Sequence, residues 1–245
     1  MQIAHMPRVN ARYWSAITLA SLFGTNLGDL YAHNSGLGLI GGVPILIALA
    51  AGVFLVERFD TAPRELYYWL VIIIIRTGAT NIADYLKHQM PWAVFGLILT
   101  VLLAGFAWIS LRDKDRAETI AEDARGMPRT GGAYWAAMLS AGVFGTFFGD
   151  VAQKLIGSWQ ASLLLGMLLL GALAFYRSRA ASRVWIYWIV VAVARTAGTA
   201  MGDFLAEDRL LDLGLPIATL ITGGVFVLIL FFWPRQPRSA FALPI

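Results

Sequence analysis

Residues 187–203 read YWIVVAVARTAGTAMGD: an aromatic pair, a run fit for lipid, and then Arg195 and Asp203 eight residues apart inside it. The same frame stands at three other places. Tyr13-Trp14, Tyr68-Trp69 and Tyr134-Trp135 each open an apolar run, and sixteen residues after each of the four tyrosines comes an aspartate: Asp29, Asp84, Asp150 and Asp203. Just before each aspartate the text reads FGTNLGD, GATNIAD, FGTFFGD and AGTAMGD, so Thr25, Thr80, Thr146 and Thr199 always precede it by four residues. Self-similarity at this spacing is the mark of a repeat architecture.

Composition fixes the solvent. The chain is 58% apolar and 14% charged, against roughly 45–50% and about 25% in soluble domains. A hydrocarbon core about 30 Å thick takes about 20 apolar residues per helix. Eight segments answer to that, at 11–33, 36–57, 65–87, 91–111, 132–154, 158–177, 183–206 and 213–233. The expectation is an all-α integral membrane protein of eight transmembrane helices, built as four parallel two-helix repeats. These form two four-helix halves, 1–112 and 132–245, joined by a charged linker over 113–131, with a short helix expected over DRAETIAEDAR.

Fourteen basic residues fall on the side of the termini and three, Lys87, Lys154 and Arg209, on the other. The excess predicts cytoplasmic N and C termini and multi-pass insertion in the inner (plasma) membrane. The polar opening MQIAHMPRVNARYW does not read as a cleavable signal, so the first helix is expected to stay as an anchor. With no cysteine, disulfides and thiol chemistry are excluded. The net charge of +4 comes from loop arginines and does not point to nucleic acid.

At 1.5 Å per residue the aspartates lie about 24 Å beyond their tyrosines, near the outer edge of the hydrocarbon. Arg76 and Arg195 lie about 12 Å in, close to the midplane, where a charge must turn inward. The odd helices are therefore expected to form an inner bundle and the even ones a lipid-facing shell. Gly24 with Gly28, Gly145 with Gly149 and Gly198 with Gly202 supply small-residue spacings for close approach. Repeat 2 has Ala79 and Ala83 instead, which weakens the case for close packing there. Repeats 1 and 3 carry Ser21 and Gly142 at the arginine position. The Tyr and Trp residues are expected as interfacial belts.

Threonine and aspartate four apart share a helix face, so Asp29, Asp84, Asp150 and Asp203 with Thr25, Thr80, Thr146 and Thr199 are the candidate cation-binding or proton-coupling set. Arg76 and Arg195 are expected to pair with carboxylates, Asp84 and Asp203 first, and Arg195→Met to destabilise by stranding one. One turn further out, His33, His88 and Glu207 offer a weaker metal-binding level. Four aspartates and two arginines sum to −2, the deficit of one divalent cation or two protons. The function expected is a transporter or pore for a cation, plausibly a divalent metal such as manganese with proton coupling. The alternative is a non-catalytic membrane partner or sensor in which the Asp and Arg groups are structural. The linker then offers a surface for a protein partner or a second copy. No nucleophile, metalloprotease or nucleotide motif is present, so an enzyme is not expected.

The repeated YW…GTxxGD pattern resembles a bacterial family of conserved membrane-anchored proteins over nearly the whole chain. The resemblance implies a helix-hairpin fold and no activity. A looser analogy is to calcium and manganese exchangers with a Glu-x-Gly-Asp motif, whose glutamate is missing here.

Overall fold

The computed structural model describes residues 7, 9–60, 64–115, 130–178 and 183–233. Among them every regular element is helical: α1 (Ala11–Asn34), α2 (Gly38–Gly41), α3 (Val43–Phe59), α4 (Glu65–Leu86), α5 (Trp92–Asp115), α6 (Gly132–Ile156), α7 (Ser158–Ser178), α8 (Arg183–Glu207) and α9 (Gly214–Phe232). The linker expected over 113–131 begins inside α5, and its residues 116–129, with the short helix expected there, lie outside the described residues.

Local chemistry sets the ends. The Asn10 side chain accepts from the Tyr13 N–H at 3.0 Å and caps α1. Gly157, at φ +92°, is the single residue between α6 and α7 and takes a conformation that side chains resist. The segment expected as one span over 36–57 is interrupted at Gly42, two residues before Pro44. The proline ring disfavours helical backbone before it and takes away a backbone donor. Tyr31 covers the break by donating its hydroxyl to the Gly42 carbonyl at 3.3 Å.

Among the described residues seven helices are long and apolar enough to cross a membrane: α2 with α3, and α4 through α9, which makes this a multi-pass membrane protein. α1 is as long but less apolar, and its Gly24, Thr25, Asn26 and Gly28 are buried against protein.

α1, α4, α6 and α8 form a closed ring, each packed on two of the others. The remaining long helices clasp this ring from outside. α3 lies on α4, α5 on α6, α7 on α8 and α9 on α1, so each outer helix grips mainly the inner helix of the next hairpin, and the last closes on the first. The inner helices α4, α6 and α8 bury more than half of their apolar spans and the outer ones less than a third. This is the inner bundle and outer shell that the placement of charge led one to expect.

Candidate functional site

The inner ring is stacked in polar layers. Near the N-terminal ends of its helices the four tyrosine hydroxyls close a ring of hydrogen bonds: Tyr13 to Tyr68 at 2.9 Å, Tyr68 to Tyr134 at 2.6 Å, Tyr134 to Tyr187 at 2.9 Å and Tyr187 to Tyr13 at 2.7 Å. All four are fully buried. Each tyrosine also meets the tryptophan of the following inner helix, with ring centroids 5.5–5.8 Å apart for Trp69, Trp135, Trp188 and Trp14 in turn. These four aromatic pairs are core, and the belt reading fails for them; Trp92 and Trp159 are exposed as a belt requires.

Arg76 and Arg195 start from equivalent positions on α4 and α8, diagonal members of the ring, and turn different ways. Arg76 reaches toward the threonines. Its Nη1 donates to Thr80 at 2.9 Å and Thr146 at 2.8 Å, its Nη2 to Thr25 at 2.5 Å and Thr199 at 2.6 Å, and its Nε to Ser21 at 3.2 Å. A guanidinium has five N–H donors, and all five are used. Thr25, Thr80 and Thr199 pass their own protons back to the carbonyls of Ser21, Arg76 and Arg195. The hydroxyls thus present oxygen lone pairs to the charge.

Arg195 reaches the other way, toward Met138, whose Sδ accepts from Nη2 at 3.8 Å. Its Nε and Nη1 have no partner among the described residues, although the side chain is fully buried. The pairing of Arg76 and Arg195 with Asp84 and Asp203 is therefore corrected: among the described residues neither arginine forms an ion pair with an aspartate. Eight residues is about 12 Å of helix, beyond an extended guanidinium, whereas Thr80 stands one turn from Arg76.

Glycines on the neighbouring helices give both arginines their close approach. A Cβ added at Gly24 would lie 2.7 Å from the Cβ of Arg76, and one at Gly145 would lie 2.5 Å from that of Arg195. The equivalent pair in between is Ala79 against Gly142, with the added Cβ 2.7 Å from that of Ala79. The alanine of repeat 2 is thus answered by a glycine on the next helix, and close packing is kept.

The carboxylates occupy the far end. Lys87 donates from Nζ to Asp84 at 2.7 Å and to Asp150 at 2.6 Å, and Gln153 donates to Asp203 at 2.7 Å. Asp29 lies within electrostatic reach of the other three aspartates and of Glu207. Each inner helix runs from a tyrosine of the ring to one of these aspartates. Burial works against the Lys87 ammonium, but the carboxylates of Asp150 and Asp84 outweigh it and hold its pKa above the usual lysine value. Sequence reading had counted Lys87 only as an outer-side charge at the end of the 65–87 segment. Its place three residues after Asp84, on the same helix face, was the available signal.

Among the described residues no three His, Asp or Glu side chains stand close enough to hold one metal ion. The expected metal level of His33, His88 and Glu207 does not assemble; the His33 Nδ1–H instead donates to the Asp29 carbonyl at 2.7 Å. The Asp84 and Asp150 carboxylates converge on an ammonium, which takes the place a divalent ion would need.

No curated protein and no solved structure matches the chain significantly. A family model described as a Repeat of Unknown Function (DUF347) matches residues 12–59 and 186–239, the first and last of the four hairpins. The chain thus carries two matches to a repeat whose function is unassigned.

Proposed function

We propose that the chain is a proton-coupled secondary transporter for a cation in the inner membrane, with eight spans in four parallel hairpin repeats and both termini cytoplasmic. One observation carries the reading: the four threonine hydroxyls gather around a single positive charge, and that charge belongs to the chain. Oxygen lone pairs converging on one point form a cation's ligand set, and Arg76 is a tethered occupant of it. A cation entering past Asp29, Asp84, Asp150 and Asp203 meets Lys87 first and Arg76 one layer deeper, and must displace each. Protons and cargo compete for the same carboxylates, because an added positive charge disfavours protonation. Resident cations balance the carrier when cargo is gone, so the empty form does not hold a cluster of bare carboxylates in the membrane.

Counting Lys87 changes the charge. Four aspartates against Arg76, Arg195 and Lys87 leave −4 + 3 = −1, with Lys154 and Glu207 offsetting each other at the rim. A deficit of one favours a monovalent cation over the divalent metal suggested by −2.

The test is thermal stabilisation of the purified protein by sodium, potassium, manganese, zinc, calcium and magnesium across a pH series. Parent protein is compared with Asp29→Asn combined with Asp150→Asn. Saturable stabilisation by one ion, stronger at higher pH and lost in the double variant, is expected. Indifference to every ion transfers the assignment to the second reading, a membrane partner or sensor with a structural polar core. That reading is favoured by the complete satisfaction of Arg76, as in polar ties between membrane helices.

A further inference from the structure

The second arginine enters the cation reading only as one of the counted charges. Arg195 is fully buried, Nε and Nη1 are without acceptors among the described residues, and the one acceptor of Nη2 is a thioether sulfur, a weak one. A buried charge is stable only when paired and hydrogen-bonded.

The surroundings supply no negative charge. Arg76 is an electrostatic neighbour of like sign, and its five donors are spent elsewhere. The four tyrosines are also electrostatic neighbours of Arg195, but their hydroxyls are closed into a ring in which each proton is shared with the next oxygen. They offer lone pairs and no net charge. Asp84 and Asp150 are taken by Lys87 and Asp203 by Gln153, in the layer beyond the threonines.

Where α4 and α8 carry arginines, α1 carries Ser21 and α6 carries Gly142, and Arg76 leaves this level for the threonines. At this level α6 lies close on α4, since a Cβ added at Gly142 would come 2.7 Å from that of Ala79. Two long side chains leaving in opposite directions and two very small ones define a layer with an unsatisfied, fixed cation and little else.

We propose that Arg195 is the cationic wall of a binding site for a small monovalent anion, of halide size, between the Arg76–threonine layer and the tyrosine ring. Its Nε–H and Nη1–H donate to the anion. Monovalency follows from the one guanidinium left to neutralise, and small size from the close packing of α6 and α8, where Gly145 lies against the backbone of Arg195 and Thr196. The site does not depend on the cation reading.

The test uses the whole chain, purified and held in sodium gluconate. Chloride, bromide and nitrate are then titrated at constant sodium and constant ionic strength, and the unfolding temperature is followed. A saturable rise with the small anions in the parent, absent in Arg195→Gln, is the expected result. A flat parent response overturns the site, and so does a response that Arg195→Gln retains. Should that variant fail to fold, bromide-soaked crystals of the parent provide the second measurement. An anomalous peak within hydrogen-bond reach of Arg195 Nε or Nη1 is expected, and its absence overturns the proposal. Sodium is fixed throughout, so failure here leaves the cation reading untouched.

Discussion

The Arg76 guanidinium on α4 donates to the Thr199 hydroxyl on α8 at 2.6 Å, joining residues 123 apart in the chain across the diagonal of the inner ring. No helix touches its diagonal partner as closely as its neighbours, so this side chain acts as the hub of the bundle. The equivalent Arg195 is excluded from the hub because the threonine ring accommodates one guanidinium.

The two arginines should therefore respond differently to removal. Arg76→Met deprives four hydroxyls and Ser21 of a charged donor, and a loss of about 3–5 kcal/mol is expected, as for a broken buried charge network. Arg195→Met in halide-free buffer removes a buried charge without a partner and should be neutral or stabilising by about 1–4 kcal/mol. Unfolding in detergent, followed by tryptophan fluorescence, measures both. Equal losses would show that the arginines share one environment.

Gly142 and Ala79 should behave as a complementary pair. Gly142→Ala forces two methyl groups together between α4 and α6 and should cost about 1–3 kcal/mol. Ala79→Gly in the same chain should restore most of it. A double-mutant cycle with no coupling would remove the proposed reason why this hairpin departs from the glycine pattern.

The tyrosine ring makes a prediction about pairs. A single Tyr→Phe change opens two of four bonds, so the four single variants should lose similar stability, on the order of 1–2 kcal/mol each. Tyr13→Phe with Tyr134→Phe, on opposite corners, opens all four bonds. Tyr68→Phe with Tyr134→Phe, on adjacent corners, opens three and should cost less. If the adjacent pair costs more, the closed ring is not the tie.

Much of this was legible in the sequence. The apolar runs located the helices, and the Tyr-to-Asp spacing identified four equivalent inner ones, because burial of charge leaves few other arrangements. The direction of the arginines was misjudged. The pairing of Arg195 with Asp203 rested on their lying in the same repeat and ignored that eight residues exceed the reach of the side chain. Thr80, four residues from Arg76, was the partner within reach. The hydroxyl ring was missed for another reason: a Tyr-Trp pair at a helix end has the same composition whether it faces lipid or a bundle axis, and only the packing of four such helices decides. Lys87 escaped because it ends the segment read over 65–87 and was counted only toward the charge bias of the outer side.

Lys87 sets a pH dependence of definite sign. Its pKa is raised by Asp150 and Asp84 over the opposing effect of burial. A raised lysine contributes stability that is complete below its unfolded value, about 10.4, and is lost as pH climbs through the folded value. The stability difference between the parent and Lys87→Gln should therefore persist from neutrality to about pH 10 and shrink only above it. A difference that already fades between pH 7 and 9 would mean that the ammonium does not bridge the two carboxylates.

The central claim is that the carboxylate and threonine layers pass a cation in exchange for protons. The direct measurement is flux in proteoliposomes of the purified protein, with an imposed pH gradient and an ion-sensitive dye inside, for each cation of the stability panel. Gradient-driven uptake of one ion should occur with the parent and fall at least tenfold with Asp29→Asn plus Asp150→Asn, while Tyr134→Phe, away from both layers, retains it. Folded parent protein that moves no cation above the rate of empty vesicles, with or without the gradient, would contradict the account.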